Sequence, residues 1–193
     1  MIAIKKTFIS LILLVFFMGF NIPVAAMLLQ TDPTSSYIKF NAYPRIGSAV
    51  SGDFLAFTVL IKMRDSNVID RIEAMIDTNS VFTDNSIRDR HLRVHFLDYK
   101  SHEYLKFVAE GPIKISDTKV KGFLTIKNIS REIELPVEFK FLQSKSTGQL
   151  VLSSKIKNFQ LNRRDYNINS WGIFIEDMVD IDIELINRIY VNI

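Results

Sequence analysis

The chain has 193 residues, 24 Lys plus Arg against 21 Asp plus Glu, no cysteine and 48% hydrophobic residues. Charged residues at 23% with only seven Gly and five Pro exclude a disordered, collagen-like or low-complexity chain. The isoelectric point near 9.0 rests on a formal charge of only +3, too dilute for a phosphate-backbone binder, so no nucleic-acid partner is expected.

The first segment reads as a leader. Lys5 and Lys6 form a basic n-region, Phe8 to Phe20 is almost wholly apolar, Pro23 breaks the helix, and Val24-Ala25-Ala26 supplies small residues for cleavage after Ala26. The apolar run is shorter than the roughly 20 residues a membrane-spanning helix needs. Residues 1–26 are therefore expected to be a cleaved secretory signal peptide and residues 27–193 a single exported domain. Removing Lys5 and Lys6 leaves 22 basic against 21 acidic residues. Absence of cysteine removes lipoprotein attachment, thiolate catalysis, Cys-ligated zinc and iron–sulfur clusters from consideration.

Beyond the leader, period-two alternation dominates. Ile133, Leu135, Val137, Phe139 and Phe141 alternate with polar neighbours, as do Val179, Ile181, Ile183 and Leu185 with Asp180, Asp182 and Glu184. Successive strand side chains point to opposite faces, so each segment has one dry and one wet face. The same pattern is weaker in Ile38–Phe40–Ala42, Ile72–Ala74–Ile76, Leu105–Phe107–Ala109, Val120–Gly122–Leu124–Ile126 and Leu150–Leu152–Ser154–Ile156. Val50 to Met63 breaks phase near Phe54 and Leu55, and with Gly52 this predicts a bulge or sharp bend.

Between the third and fourth strands, Thr83 to Phe96 leaves the strand pattern. Ser86-Ile87-Arg88-Asp89 has capping-box spacing, with Ser86 as the expected N-cap. Ile87, Leu92 and Phe96 form an expected inward stripe on a short helix covering one end. Asn158 to Gly172 reads as a second irregular stretch, whose Arg163 and Arg164 have the chemistry to grip an anionic head group but are read first as residues of a solvated loop. The architecture expected is all-β: an antiparallel up-and-down barrel of about eight strands, closed so as to abolish edges, with a short helix after the third strand. A two-sheet sandwich is the alternative fold.

No phosphate-cradling glycine pattern exists, since the closest pair, Gly47 and Gly52, is five apart, and no nucleophile elbow surrounds a serine. His91 and His95 share one helical face, with His102, Asp98 and Glu103 nearby; this spacing is one that metal sites use. Half-exposed polar residues on a surface helix are the favoured reading, so no catalytic and no metal residues are assigned. Arg88 stands evenly between an ion pair and a ligand-head contact, and Asp89 reads as a capping residue. An eight-stranded barrel holds one small ligand or is filled by its own side chains, and pattern alone leaves the two open.

Several blocks, in order, resemble the YceI-like family of periplasmic, lipocalin-like polyisoprenoid-binding proteins. They are Asp32-Pro33, Ser36, Ile38 and Phe40; Val50-Ser51-Gly52-Asp53-Phe54; Ile76-Asp77-Thr78; Ile87-Arg88-Asp89-Arg90-His91-Leu92; Phe96-Leu97-Asp98; and Tyr104 to Phe107. Val120 to Ile126, Ser130-Arg131, Leu135-Pro136-Val137, Arg164-Asp165-Tyr166, Ile168 and Asp177-Met178-Val179 follow. Thr34-Ser35 stands where the family often has His-Ser, a loss expected to bear on the cavity mouth. Asn128 and Asn167 replace common turn glycines, mild changes because Asn tolerates left-handed backbone.

The resemblance implies an exported, periplasmic carrier that sequesters an isoprenoid lipid of quinone or polyprenyl phosphate type. Such a carrier needs no covalent chemistry, bound cofactor or enzyme activity. Each buried methylene contributes roughly 0.8 kcal/mol, so ten buried carbons give about 8 kcal/mol gross. The wall residues expected from alternation are Phe40, Phe57, Phe107, Leu124, Val137, Phe139, Leu152 and Ile183, with Arg88 at the opening. Transient membrane contact for lipid exchange and a homodimer are compatible with this reading. The alternatives are a metal-dependent or acid–base enzyme using His91, His95 and His102, and an interaction module with a filled core.

Overall fold

The computed structural model describes residues 27–144 and 147–189; the expected leader lies outside them. In chain order the strands are β1 (Met27–Thr31), β2 (Tyr37–Pro44), β3 (Val50–Phe54), β4 (Phe57–Met63), β5 (Val68–Asp77) and β6 (Val81–Phe82). Helix α1 (Ser86–His91) and a π-helical turn (Leu92–Phe96) follow. Then come β7 (Tyr104–Lys114), β8 (Lys119–Ile126), β9 (Ile129–Pro136), β10 (Glu138–Gln143), β11 (Leu150–Asn162) and β12 (Ile175–Ile189).

Every ladder is antiparallel, and the all-β class expected from alternation is the one observed. Three long extended segments are broken in the middle. β1 and β2 lie on the same flank of β12, whose Asn187 to Ile189 pairs with β1 and whose Ile175 to Glu184 pairs with β2. The break between them is a turn at Pro33–Ser35, capped by the Asp32 carboxylate. β3 and β4 part at Leu55 and Ala56, where the phase changes. Gly52 itself forms no bend: a Cβ there would sit 2.3 Å from Phe40 Cζ, so glycine makes room for a ring.

The third break corrects the expected seamless closure. β9 pairs with β8 and β10 pairs with β11, so the two flanks of the wall hold opposite halves of one segment, 129–143. Among the described residues no ladder joins β9 to β11, and the sheet is not closed by hydrogen bonds there. The partner change occurs at Val137, whose amide leaves the sheet pattern and donates to Thr118 O at 2.9 Å. Near one end of this seam Arg131 Nε donates to Asp165 O at 2.7 Å and Lys127 Nζ to Asn167 O at 3.3 Å. Side chains therefore stitch what the backbone does not.

Inward positions follow the alternation. Ile38 and Phe40 on β2, Val59 and Ile61 on β4, Ile72, Ala74 and Ile76 on β5, and Leu105 and Phe107 on β7 are all buried in one core. One end of the barrel is packed solid by Met63, Ile69, Leu152 and Asn187, all fully buried. The amide of Asn187 is satisfied there: Thr31 Oγ1 donates to its Oδ1 at 2.7 Å, and its Nδ2 donates to Leu152 O at 3.1 Å. A buried amide with both ends bonded costs little and fixes the register of three strands.

Candidate functional site

The opposite end is open. Its floor is the inner lumen, a cavity of about 140 Å³ among inward residues of β2 to β5 and β7 to β12, in which Ser154 is the one polar residue. Above it lies a wider cavity of about 520 Å³, bounded by Phe40, Ala42, Pro44, Arg45, Ile46 and Val50 on the β2–β3 side. The α1 region contributes Asn85, Ile87, Arg88, His91, Leu92 and Phe96, and the segment before and into β12 contributes Trp171 and Ile173 to Ile175. The two cavities are lined by neighbouring rungs of one wall. Phe40 pairs with Ile181 and Ile38 with Ile183, and Phe40 bounds the outer space while Ile38, Ile181 and Ile183 bound the inner. Between the two spaces the Phe40 and Phe54 rings lie 5.8 Å apart, tilted by 51°.

Two glycines keep the lumen from being filled by its own rings. Phe40 lies over Gly52, and Phe107 lies over Gly122, where a Cβ would stand 2.5 Å from Phe107 Cζ and 2.6 Å from Val108 O. In each case ring atoms occupy the place a side chain on the glycine would take. Ser154 is the one residue lining the lumen that offers water a hydrogen bond; a dry apolar void of about 150 Å³ is known to accept a six-carbon ring.

α1 covers the opening on a different cap from the one expected. Asn85, not Ser86, is the N-cap, with Oδ1 accepting from Arg88 N at 3.0 Å. Asp89 is buried and reaches back to Thr83 instead, accepting from its amide at 2.8 Å and its hydroxyl at 2.5 Å. The sequence offers Asn and Ser as adjacent capping types, and only the backbone path into the helix selects between them. Arg88 donates from Nε to Thr83 Oγ1 and from Nη2 to Thr83 O, at 2.8 and 2.6 Å, with its guanidinium at the cavity wall. The inward stripe expected from Ile87, Leu92 and Phe96 is incomplete: Phe96 is buried, Leu92 packs partly, and Ile87 is exposed on the rim. The π-helical turn after His91 shifts the phase, so an α-helical stripe does not carry through it.

The segment closing the other side of the opening is held by Arg163. It is buried, not solvated: Nε donates to Glu176 O at 3.0 Å, Nη1 to Ile168 O at 2.5 Å and to Ser170 O, and Nη2 to Ile175 O and Asp177 Oδ1. Burial lowers its pKa from the ordinary arginine value, and five acceptors keep the buried charge satisfied. Arg164 Nε bonds the same Asp177 carboxylate at 2.5 Å, the main reason that acid is held below its usual range. Both arginines are therefore structural. The irregular stretch is also shorter than expected, because β11 runs on to Asn162. Asn128 and Asn167 do adopt the left-handed backbone, with φ of 61° and 54°.

Of the residues expected to line the site, Phe107, Leu124, Val137, Phe139 and Ile183 border the inner lumen, and Phe40 and Arg88 border the outer cavity. Leu152 sits in the packed end, and Phe57 borders neither space while packing partly against the core. Thr34-Ser35 lies in the turn beside the packed end, tied to Asp32, and so has no bearing on the mouth. His91 and His95 stack edge to face at 5.6 Å, and His102 Nε2 faces Asp98 at 3.8 Å. Among the described residues no group of three His, Asp or Glu is placed to hold a metal. Alternation did not reveal the rim residues Arg45, Ile46, Ile173 and Phe174; the apolar run at Trp171–Phe174 within a polar stretch was the available signal.

Comparison with known proteins gives a consistent picture. The description "YceI-like domain" matches residues 29–186. A UPF0312 protein of Staphylococcus aureus (strain MSSA476) is 29% identical over 141 residues, covering 72% of this chain and 80% of its own. Among solved structures, BcnA of Burkholderia cenocepacia superposes with a TM-score of 0.68 at 18% identity, covering 81% of this chain and 98% of that one. A polyisoprenoid binding domain from Saccharophagus degradans superposes with a TM-score of 0.66 at 13% identity, covering 84% and 98%.

Proposed function

The chain belongs to the YceI-like family, and from that premise we propose that it is an exported, periplasmic binding protein that sequesters or carries an isoprenoid lipid. The observation that carries this reading is the apolar lumen: one end is packed by Met63, Ile69 and Leu152, and the other faces a wider cavity across the Phe40–Phe54 ring pair. A chain-like apolar ligand fits such a shape with its tail inward and its head at the rim. By scale, the inner lumen takes about six carbons, and the outer cavity accommodates the rest of a chain that still has a solvated head.

The head-group end carries Arg45, Arg88 and His91 and no carboxylate, which suits a polar or anionic head of quinone or polyprenyl phosphate type. The tail is recognised only by burial, at roughly 0.8 kcal/mol per methylene, offset in part by ordering the chain. Selectivity for length then resides in the packed end, since one carbon more or less changes apolar binding only modestly. Binding needs no bond to be made or broken, so the role is carriage and not catalysis. Loading and release at a membrane surface follow from the solubility of such lipids.

The test is to purify the protein without detergent from an exporting host, extract it with organic solvent and identify the extract by mass spectrometry beside a control preparation. A stoichiometric isoprenoid is the expected result. An empty protein that also takes up neither quinones nor polyprenyl phosphates on titration would overturn the proposal.

A further inference from the structure

Exposed apolar side chains are common singly, but here they converge. Ile46, Ile173 and Ile87 are 91%, 77% and 71% exposed, the highest values among the described large hydrophobic residues, and all three stand on the rim of the outer cavity. They come from three separate parts of the chain: the β2–β3 connection, α1, and the segment leading into β12. Trp171 and Phe174, both more than half exposed, join them. The rings form a row, with His91 to Trp171 at 5.7 Å and Trp171 to Phe174 at 6.1 Å. A contiguous apolar collar around an opening marks an interaction surface, where scattered residues would not.

The charges around the collar have one dominant sign. Arg45 and Arg88 border the cavity, and Arg90 and His91 face the adjoining groove on the outer side of α1. The acids of the same segments are mostly engaged: Asp89 is buried on Thr83, and Asp177 is held by Arg163 and Arg164. Asp84 and Glu176 remain exposed beside the rim, and neither borders the cavity. Exposed aliphatic tips, a Trp and a surrounding set of Arg are what the boundary between headgroups and acyl chains of an anionic leaflet accepts.

We propose that this rim is a docking surface for an anionic phospholipid bilayer, seated so that the cavity opens directly onto the acyl layer. The inference rests on the lipid-carrier reading for its purpose, and on the collar and its charge for its geometry. Docking in this orientation lets a tail pass between bilayer and lumen without crossing water. Ile46, Ile87 and Ile173 reach the acyl boundary, Trp171 and Phe174 lie at headgroup level, and Arg45, Arg88 and Arg90 meet lipid phosphates. The π-helical turn and the carbonyl cradle of Arg163 hold the two sides of the collar, and Ser170 Oγ donates to His95 O at 2.7 Å between them.

The test is cosedimentation of the purified protein with vesicles of phosphatidylcholine alone and of phosphatidylcholine with phosphatidylglycerol. Retinol uptake and solution mass are measured on the same samples. Expected is partition onto the phosphatidylglycerol vesicles only, weakened as salt shortens the Debye length. Ile46→Asp with Ile173→Asp should reduce that partition about tenfold or more, and Arg90→Glu, which is outside the cavity lining, about tenfold. Retention of native circular dichroism by each variant separates loss of docking from loss of fold. Absence of partition by a protein that still takes up retinol would overturn the docking surface and leave the carrier reading standing. Partition by a protein that takes up no lipid would do the reverse. Equal partition of wild type and variants, or a dimer that Ile173→Asp dissociates without any vesicle binding, would also overturn it, the latter by making the collar a contact between two copies.

Discussion

Ala74→Leu asks whether the lumen is empty space or an already filled core. Ala74 points inward from the centre of β5, opposite Val59 on β4 and Phe107 on β7, and borders the inner cavity. Leucine adds three carbons to a site of about 140 Å³ that its neighbours leave unfilled. If those carbons enter the cavity, they gain burial of about 2 kcal/mol gross, so the ligand-free protein should be unchanged in stability or up to about 2 kcal/mol more stable. The same carbons displace an equal length of lipid tail, and retinol should bind about thirtyfold more weakly. Urea unfolding of the ligand-free protein and fluorescence titration with retinol read the two effects separately. A filled core gives the opposite pattern: overpacking costs about 1–3 kcal/mol and retinol binding does not change. That outcome would refute the cavity, and with it the carrier.

Three further perturbations test the surrounding architecture. Gly122→Ala brings a Cβ against Phe107 and against the Val108 carbonyl; because backbone cannot yield as a ring can, a loss of about 1–3 kcal/mol is expected, with Phe107 displaced inward, measurable by urea unfolding and crystallography. Arg163→Ala strips the Ile168, Ser170, Ile175 and Glu176 carbonyls of a donor and should cost about 3 kcal/mol, with hydrogen exchange rising first between β11 and β12. Asp32, bonded by Thr34 above all and then by Arg188, has its pKa lowered from 3.8 to about 2. A depressed carboxylate contributes stability that is complete above 3.8 and is lost as pH falls towards 2. Asp32→Asn should therefore be less stable than wild type at pH 6, and the gap should narrow by pH 2; a gap independent of pH would show that the ion pair and turn contribute nothing through ionisation.

Placement of function on this fold follows from asymmetry between its two ends. At one end the inward side chains are large and meet, and the single buried amide is fully bonded. At the other, the β2–β3 connection, α1 and the Arg163-anchored segment touch one another at the rim, through Arg45 N to Phe174 O and Ser170 Oγ to His95 O, and form a collar. Ser154 is the one polar residue lining the lumen, and the three histidines lie outside it. The lumen thus offers burial to apolar groups, and the rim offers charge.

Much of this was legible in the chain because it is local. Period-two alternation depends on neighbouring residues, and it marked eight extended segments and their inward faces; it missed β1 and β6 and the break between β9 and β10, and twelve strands stand among the described residues where about eight were expected. Asn at 128 and 167 marked left-handed turns for the same reason: the tolerance belongs to the residue. What alternation cannot carry is the distance between opposing walls. Phe107 and Leu152 are equally inward by pattern, yet one borders a cavity, its ring in the space Gly122 leaves without a side chain, and the other closes the packed end. Arg163 looked like a loop cation until carbonyls from residues 168–176 enclosed it. The collar joins Ile46, Ile87 and Ile173, which no sequence window contains together. The faces of the strands were decided residue by residue along the chain; the cavity, its closed end and its rim were decided only when strands distant in sequence fixed their register, because volume is a property of the space between segments.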